Sequence, residues 1–219
     1  GIYRGNHRAF LNYKNQWRGM GMPGATYTTA LFSYDAGLFK KKFSNGYLGA
    51  GINAYKDMAG DLKMGTTQLN IALSGIVYIS DKQLLSGGLQ SGYVQKSISA
   101  NAMQWDNQFD ETTGTFSSSL PSIDISSVPP YQYSDFSAGL LWNYNTDETS
   151  IFGNDQFKSI MGVAVQHLNR PKQKFNPYSN NEKLYSKLVV HGAAQIGIGN
   201  TNYDLVPSAI LLKQTKSYE

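Results

Sequence analysis

Gly19, Gly21 and Gly24 stand in the G-x-G-x-x-G spacing that lets a backbone approach a pyrophosphate, so dinucleotide binding is the first chemistry to weigh. The surroundings point to a hairpin loop instead. Pro23 lies inside the motif, and the β-prone run Ala25-Thr26-Tyr27-Thr28-Thr29 follows where the phosphate needs a helix N-terminus. His7, His167 and His191 are far apart, and none has a second histidine or a carboxylate at the two- or four-residue spacing of familiar metal sites. His167 ends an apolar-alternating run and reads as a hydrogen-bonded histidine rather than a ligand. Asp57 and Asp61 bracket Met58-Ala59-Gly60 without filling the ligand positions of a calcium loop, which predicts an Asx-type turn with Gly60 at positive φ. Asp106, Asp110, Glu111 and Asp124 read as solvated loop acids, because nothing in their spacing demands an acid–base pair.

No serine sits in a G-x-S-x-G elbow, and the chain has no cysteine, which removes thiolate zinc sites, disulfide scaffolds and cysteine nucleophiles. The expectation is a non-enzymatic protein without cofactor or metal. Gly87-Gly88, Gly192, Gly197 and Gly199 read as bends or as room for neighbouring side chains. Lys and Arg exceed Asp and Glu to give a net charge of +4, but the cations are scattered, and only Lys40-Lys41-Lys42 form a run. A nucleic-acid partner is therefore not expected, since basic residues do not gather with base-stacking aromatics on one element. Lys96, Arg170, Lys172 and Lys174 lie near loops, where they would face lipopolysaccharide phosphates or simply water.

The elements that position these residues are strands. Segments of about ten residues with period-two alternation recur between Gly, Asn, Asp and Pro clusters, and nine can be traced. They run near 7–17, 25–35, 47–57, 67–80, 83–97, 133–145, 158–168, 184–199 and 205–216. Phe136, Ala138, Leu140, Trp142 and Tyr144 share one face against Asp135, Ser137, Gly139 and Asn143; Met161, Val163 and Val165 oppose Gly162, Ala164 and Gln166. Leu69, Ile71, Leu73, Val77 and Ile79 likewise oppose Asn70, Ser74 and Ser80.

A mean hydropathy of −0.37 does not separate a soluble protein from a membrane barrel, whose lipid-facing residues are hidden by alternation. No stretch approaches 18 uninterrupted apolar residues, so no transmembrane helix is predicted. A β-sandwich also alternates. Strand length favours the barrel, because sandwich strands are commonly about five or six residues long and a tilted membrane strand needs about ten. Tyr13, Trp17, Tyr34, Tyr47, Tyr55, Tyr93, Trp142 and Tyr144, near strand ends, are expected to form interfacial girdles. The predicted fold is all-β, an antiparallel up-and-down transmembrane β-barrel of outer-membrane type. It forms a single domain over 1–219, with long loops near 98–132 and 169–183. The opening at Gly1 and an odd strand number suggest a trimmed chain lacking C-terminal strands.

The run Gly5-Asn6-His7-Arg8-Ala9-Phe10-Leu11-Asn12-Tyr13-Lys14-Asn15-Gln16-Trp17 resembles the first-strand signature of the PorP/SprF family of type IX secretion proteins of Bacteroidota, with Asn12, Tyr13, Asn15, Gln16 and Trp17 its most specific part. Collinear matches follow at 33–35, 49–60, 85–90, 105–110 and 135–140, at His167-Leu168-Asn169-Arg170-Pro171, and at 191–195 and 205–208, so the resemblance covers essentially the whole chain. His167, Arg170 and Pro171 complete the family-signature residues. The resemblance implies an outer-membrane component of the type IX secretion system, docking or delivering exported surface adhesins with conserved C-terminal domains, and linked to gliding or secretion machinery. It further implies type IX components, an exported C-terminal-domain protein, outer-membrane lipid and lipopolysaccharide as partners, and more strands beyond Glu219. PorP-like core membership and SprF-like dedicated partnership both fit. Trp105, Phe109, Phe116 and Tyr131 in the long loop are the partner-contact candidates, since exposed aromatics anchor interfaces. Two alternatives stay open: a passive porin-like barrel for solutes and a soluble lectin-like β domain.

Overall fold

The computed structural model describes residues 6–16, 26–60, 63–98, 108–117, 130–146, 156–173, 183–199 and 201–214. In chain order the strands are β1 (His7–Gln16), β2 (Tyr27–Leu38), β3 (Gly46–Ala59), β4 (Met64–Ser80), β5 (Gln83–Ser97), β6 (Phe109–Asp110), β7 (Thr115–Phe116), β8 (Tyr131–Asn145), β9 (Phe157–Gln166), β10 (Lys187–Gly197), β11 (Asp204–Leu205) and β12 (Ser208–Gln214). The described residues contain no helix. All nine sequence segments are found as strands. The extra pieces are the small β6–β7 hairpin inside the long loop and the two-residue β11.

One antiparallel sheet carries everything but that hairpin. Its order is β1-β2-β3-β4-β5-β8-β9-β10, with β11 and β12 both on the far side of β10. Each long strand thus pairs with its sequence neighbour, the up-and-down path expected. Tight turns make this possible: Asp81-Lys82 joins β4 to β5, and a turn closed by the Lys63 amide on the Gly60 carbonyl (3.1 Å) joins β3 to β4. Gly60 sits at φ 66° there, where a residue with a Cβ is strained. Asp57 takes no part in that turn, contrary to the Asx expectation. It lies within β3, and its Oδ1 accepts from the Thr29 hydroxyl across the sheet (2.6 Å); Asp61 lies outside the described residues.

Register divides the sheet into two faces, because directly paired residues point the same way. Leu38, Leu48, Gly75, Gly87, Leu140, Val163, Val190 and Leu211 form one continuous row from β2 to β12. On the opposite face Phe10, Ser33, Asn53, Asn70, Gly92 and Asp135 form another. The faces invert the usual order of burial. Leu73 and Leu89 are 61% and 68% exposed, while Asn70 and Asp135 are 5% and 7% exposed. Val94 is the one large apolar side chain among the described residues that reaches full burial. No second sheet or helix of the described residues covers Met161 or Val163, which stand 58% and 40% exposed. In water, each half-exposed Leu or Met forgoes about 1 kcal/mol of burial free energy. A contiguous apolar surface of this extent marks contact with lipid or protein.

The aromatics fall in two groups on the apolar face. Trp142, Tyr144 and Phe157 cluster at one end, with Trp142 and Tyr144 stacked at 6.1 Å and Phe157 5.8 Å from Tyr144, while Tyr13 and Tyr93 lie toward the other. Two of the expected girdle residues do not belong. Tyr47 and Tyr55 pair with Ile76 and Gln68 on the polar face, because their parity along β3 is opposite to that of Leu48 and Ile52. Trp17 lies outside the described residues.

Candidate functional site

The polar face is built from short and amide-bearing side chains that satisfy one another. Asn70 on β4 donates through Nδ2 to Asn53 Oδ1 on β3 (2.6 Å) and accepts at Oδ1 from Gln68 Nε2 (3.0 Å). Gly92, its partner on β5, makes this possible, since a Cβ there would run into the Asn70 amide. Nearer the β2–β3 turn, Arg8 holds Asp35 in a two-point ion pair, Nε at 2.9 Å and Nη2 beside it. Lys40 reaches back to Asn6 Oδ1 (3.2 Å) and lies over the Tyr47 ring (4.9 Å). Buried amides paired in this way hold the wall rigid, because each unmade bond costs about 1–3 kcal/mol.

The most constructed part of this face surrounds His167. The β8–β9 ladder stops at Ala138 with Val165, and the chain then turns through His167 (φ 58°) and Arg170 (φ 43°). Rather than leave, it stays on the β8 edge. Leu168 donates its amide to the Phe136 carbonyl (2.9 Å), and the Asn169 side chain completes the pattern, Nδ2 donating to the Ser134 carbonyl (2.6 Å) and Oδ1 accepting from the Phe136 amide (3.3 Å). A side-chain amide thus replaces a peptide group at the strand edge. His167 Nδ1 sits 2.9 and 3.0 Å from the two carboxylate oxygens of Asp135. The Arg170 amide closes the turn on the His167 carbonyl (3.0 Å), and buried Pro171 accepts from the Leu184 amide (2.9 Å) as the chain returns toward β10. The two left-handed residues are held by these bonds at a cost of about 1–3 kcal/mol each.

This arrangement positions a loop; its groups do not form a nucleophile–base pair. The Ser186 hydroxyl beside His167 donates to its backbone carbonyl (3.1 Å), not to its ring. His7 stacks with Tyr34 on the apolar face, its Nδ1 2.9 Å from the Tyr34 hydroxyl, and His191 lies over Gly162 on the polar face, so the three histidines do not converge. Among the described residues no three metal-ligating side chains come together.

The first-strand signature is divided by the sheet. Asn12 and Gln16 point to the polar face and Tyr13 and Asn15 to the apolar one, where Asn15 Nδ2 donates to the Tyr13 hydroxyl (3.4 Å). All four lie on β1, a sheet edge, and are exposed. Trp17 lies outside the described residues. His167, Arg170 and Pro171 do come together in one turn. Asp135 and Asn169, which complete that turn, lie within the family-like runs 135–140 and 167–171, but the sequence alone assigns them no role in a site. The signals available were an isolated carboxylate on the polar parity of β8 and an Asn placed before Arg-Pro.

Of the loop aromatics, Phe109 and Phe116 face each other across β6–β7, edge to face at 5.2 Å, and both remain exposed. Tyr131 stands apart, half-buried at the start of β8 and stacked on Tyr133 at 6.2 Å; Trp105 lies outside the described residues. The tip of the hairpin is tied by Asp110, whose carboxylate accepts from the Thr112 amide (2.9 Å), and Gly114 at φ 65° donates to the Asp110 carbonyl (2.8 Å). The Thr112 backbone bond, helped by Thr113, holds the Asp110 carboxyl below the usual carboxylate range.

No curated protein matches the chain. A family model described as type IX secretion system membrane protein PorP/SprF matches residues 2–219. With the match running over the whole sheet, both edge strands and the His167 turn, the chain belongs to the PorP/SprF family of type IX secretion system membrane proteins.

Proposed function

We propose that this protein is a non-enzymatic wall of the outer membrane, a single barrel domain that docks or delivers exported surface proteins for the type IX system. The observation that carries the reading is the inverted burial, with Leu73 and Leu89 outside and Asn70 and Asp135 inside. Hydrocarbon is the solvent that makes such a face favourable, and long antiparallel strands are the form that crosses it without unpaired backbone groups. The free edges of β1 and β12 must then find strand partners and close the wall, because an unsatisfied peptide group in lipid costs several kcal/mol.

Loop lengths orient the wall. Connections 98–130 and 167–186 leave one end together with the short turn after Gly60, whereas 39–45, the two-residue Asp81-Lys82 turn, 146–156 and 198–207, none longer than eleven residues, lie at the other. Outer-membrane barrels keep their shorter turns in the periplasm, which supports a cell-surface position for the His167 turn and the Phe109–Phe116 hairpin. There, two exposed aromatics on a tied hairpin suit an exported protein's surface better than a solute. A porin-like channel is the weaker reading, since the inward amides are buried and bonded to one another.

The test is a pull-down of the detergent-solubilised protein with an exported C-terminal-domain protein, beside planar-bilayer conductance of the protein alone. Co-purification that Phe109→Ala with Phe116→Ala weakens at least tenfold supports docking. A stable, solute-dependent conductance with no retained client overturns it in favour of a channel.

A further inference from the structure

The apolar wall is not evenly studded. In the row from Leu38 to Leu211, Gly75 and Gly87 are direct partners, so two successive strands lack an outward side chain at the same level. Leu48, Leu73, Leu89, Leu140 and Val163 surround the gap, forming an apolar groove of about 720 Å³. Packing does not require glycine at position 75, where a Cβ meets nothing within 4 Å, whereas a Cβ on Gly87 would press on the Leu140 side chain at 3.2 Å. A glycine inside a strand weakens it and commonly marks close approach of another molecule.

The groove continues toward the membrane rim. A second hollow of about 520 Å³, bounded by Lys42, Ser44, Asn45 and Gly46, shares Leu48 and Gly75 with it. The turn that forms this hollow, residues 39–45, carries three lysines and no acid, and the neighbouring Asp81-Lys82 turn adds no net charge. Lys41 and Lys42 are exposed, with Lys42 resting its ammonium 5.7 Å from the Phe39 ring. A cationic, hydroxyl- and amide-lined basin opening into an apolar trough matches one kind of molecule, an amphiphile with an anionic head.

We propose that this surface binds an anionic phospholipid of the periplasmic leaflet, its phosphate at Lys42, Ser44 and Asn45 and an acyl chain over Gly75 and Gly87. The leaflet follows from this end of the sheet carrying the shorter set of connections, the longest of them the eleven residues 146–156, against 98–130 and 167–186 at the opposite end. The proposal rests on the apolar face meeting lipid and is independent of what the loops dock. One cation near a head group favours binding about fivefold, and the acyl chain adds apolar burial that a neutral lipid shares.

The experiment is native mass spectrometry of the detergent-purified protein titrated separately with phosphatidylglycerol, phosphatidylcholine and lipid A, with folding checked by heat-modifiable migration on gels. Phosphatidylglycerol is expected to be retained about fivefold or more above phosphatidylcholine, and Lys42→Gln to lose about that factor for phosphatidylglycerol alone. Gly75→Leu, which has room for its side chain, is expected to release both phospholipids while the protein stays folded. Equal retention of the two phospholipids, no effect of Gly75→Leu, preference for lipid A, or a second copy seated in place of lipid each overturns the site. Lipids retained without selectivity would leave the lipid-facing wall standing, whereas a protein soluble without detergent and free of lipid would remove both.

Discussion

An arginine at Leu89 separates a lipid-facing wall from a water-facing one. β5 has 15 residues, and Leu89 adjoins its central residue, Gln90. At about 3.3 Å per residue the strand is about 46 Å long, and a tilt of about 40° leaves about 35 Å along the membrane normal, more than the apolar band of about 25 Å. Leu89 then lies within about 3 Å of the midplane, with 68% of its surface exposed to the surroundings. An outward arginine at that depth costs about 2–4 kcal/mol, a factor of about 30 to 1,000 in the folded-to-unfolded ratio. Gln90→Arg, one residue along and pointing inward, serves as the control. Urea unfolding in phosphatidylcholine vesicles, followed by tryptophan fluorescence, reads the difference. On a water-facing sheet, Leu89→Arg is a surface change within about 0.5 kcal/mol. A loss that small, or a Gln90→Arg loss that exceeds it, would refute the assignment of faces.

The remaining predictions concern the loops. Asn169→Ala removes both side-chain bonds to the β8 edge, and about 1–3 kcal/mol of local stability should go with them, read as faster hydrogen exchange at the Phe136 amide with little change at Gly92. Because the folded hairpin holds the Asp110 carboxyl below its ordinary value, its contribution is present above the ordinary carboxylate pKa of about 3.9 and is lost as pH falls through the lowered one. Acid titration followed at the Thr112 amide by NMR should show that loosening, and Asp110→Asn should flatten it.

Much of this protein was legible in the sequence because period-two alternation is local. A strand such as Tyr131–Asn145 states which residues share a face, so the positions of all nine long strands and the partition of Leu140 from Asp135 follow from parity. Parity also excludes Tyr47 and Tyr55 from the girdle, since closeness to a strand end does not fix which face a side chain takes. The collinear signature pieces identified the family for the same reason, being short runs that need no partner to be recognised. What alternation leaves open is which face is buried, since lipid and a second sheet impose the same pattern. Among the described residues, the exposure of Leu73 and Leu89 against the burial of Asn70 shows that no second layer covers the apolar face. Long-range pairing decided the rest. Asp135 meets His167 across 32 positions, Asn169 imitates a peptide on a strand 33 residues earlier, and Gly75 and Gly87 become a groove only once register sets them side by side. Such contacts are set by how strands align in space, and no single segment carries that information.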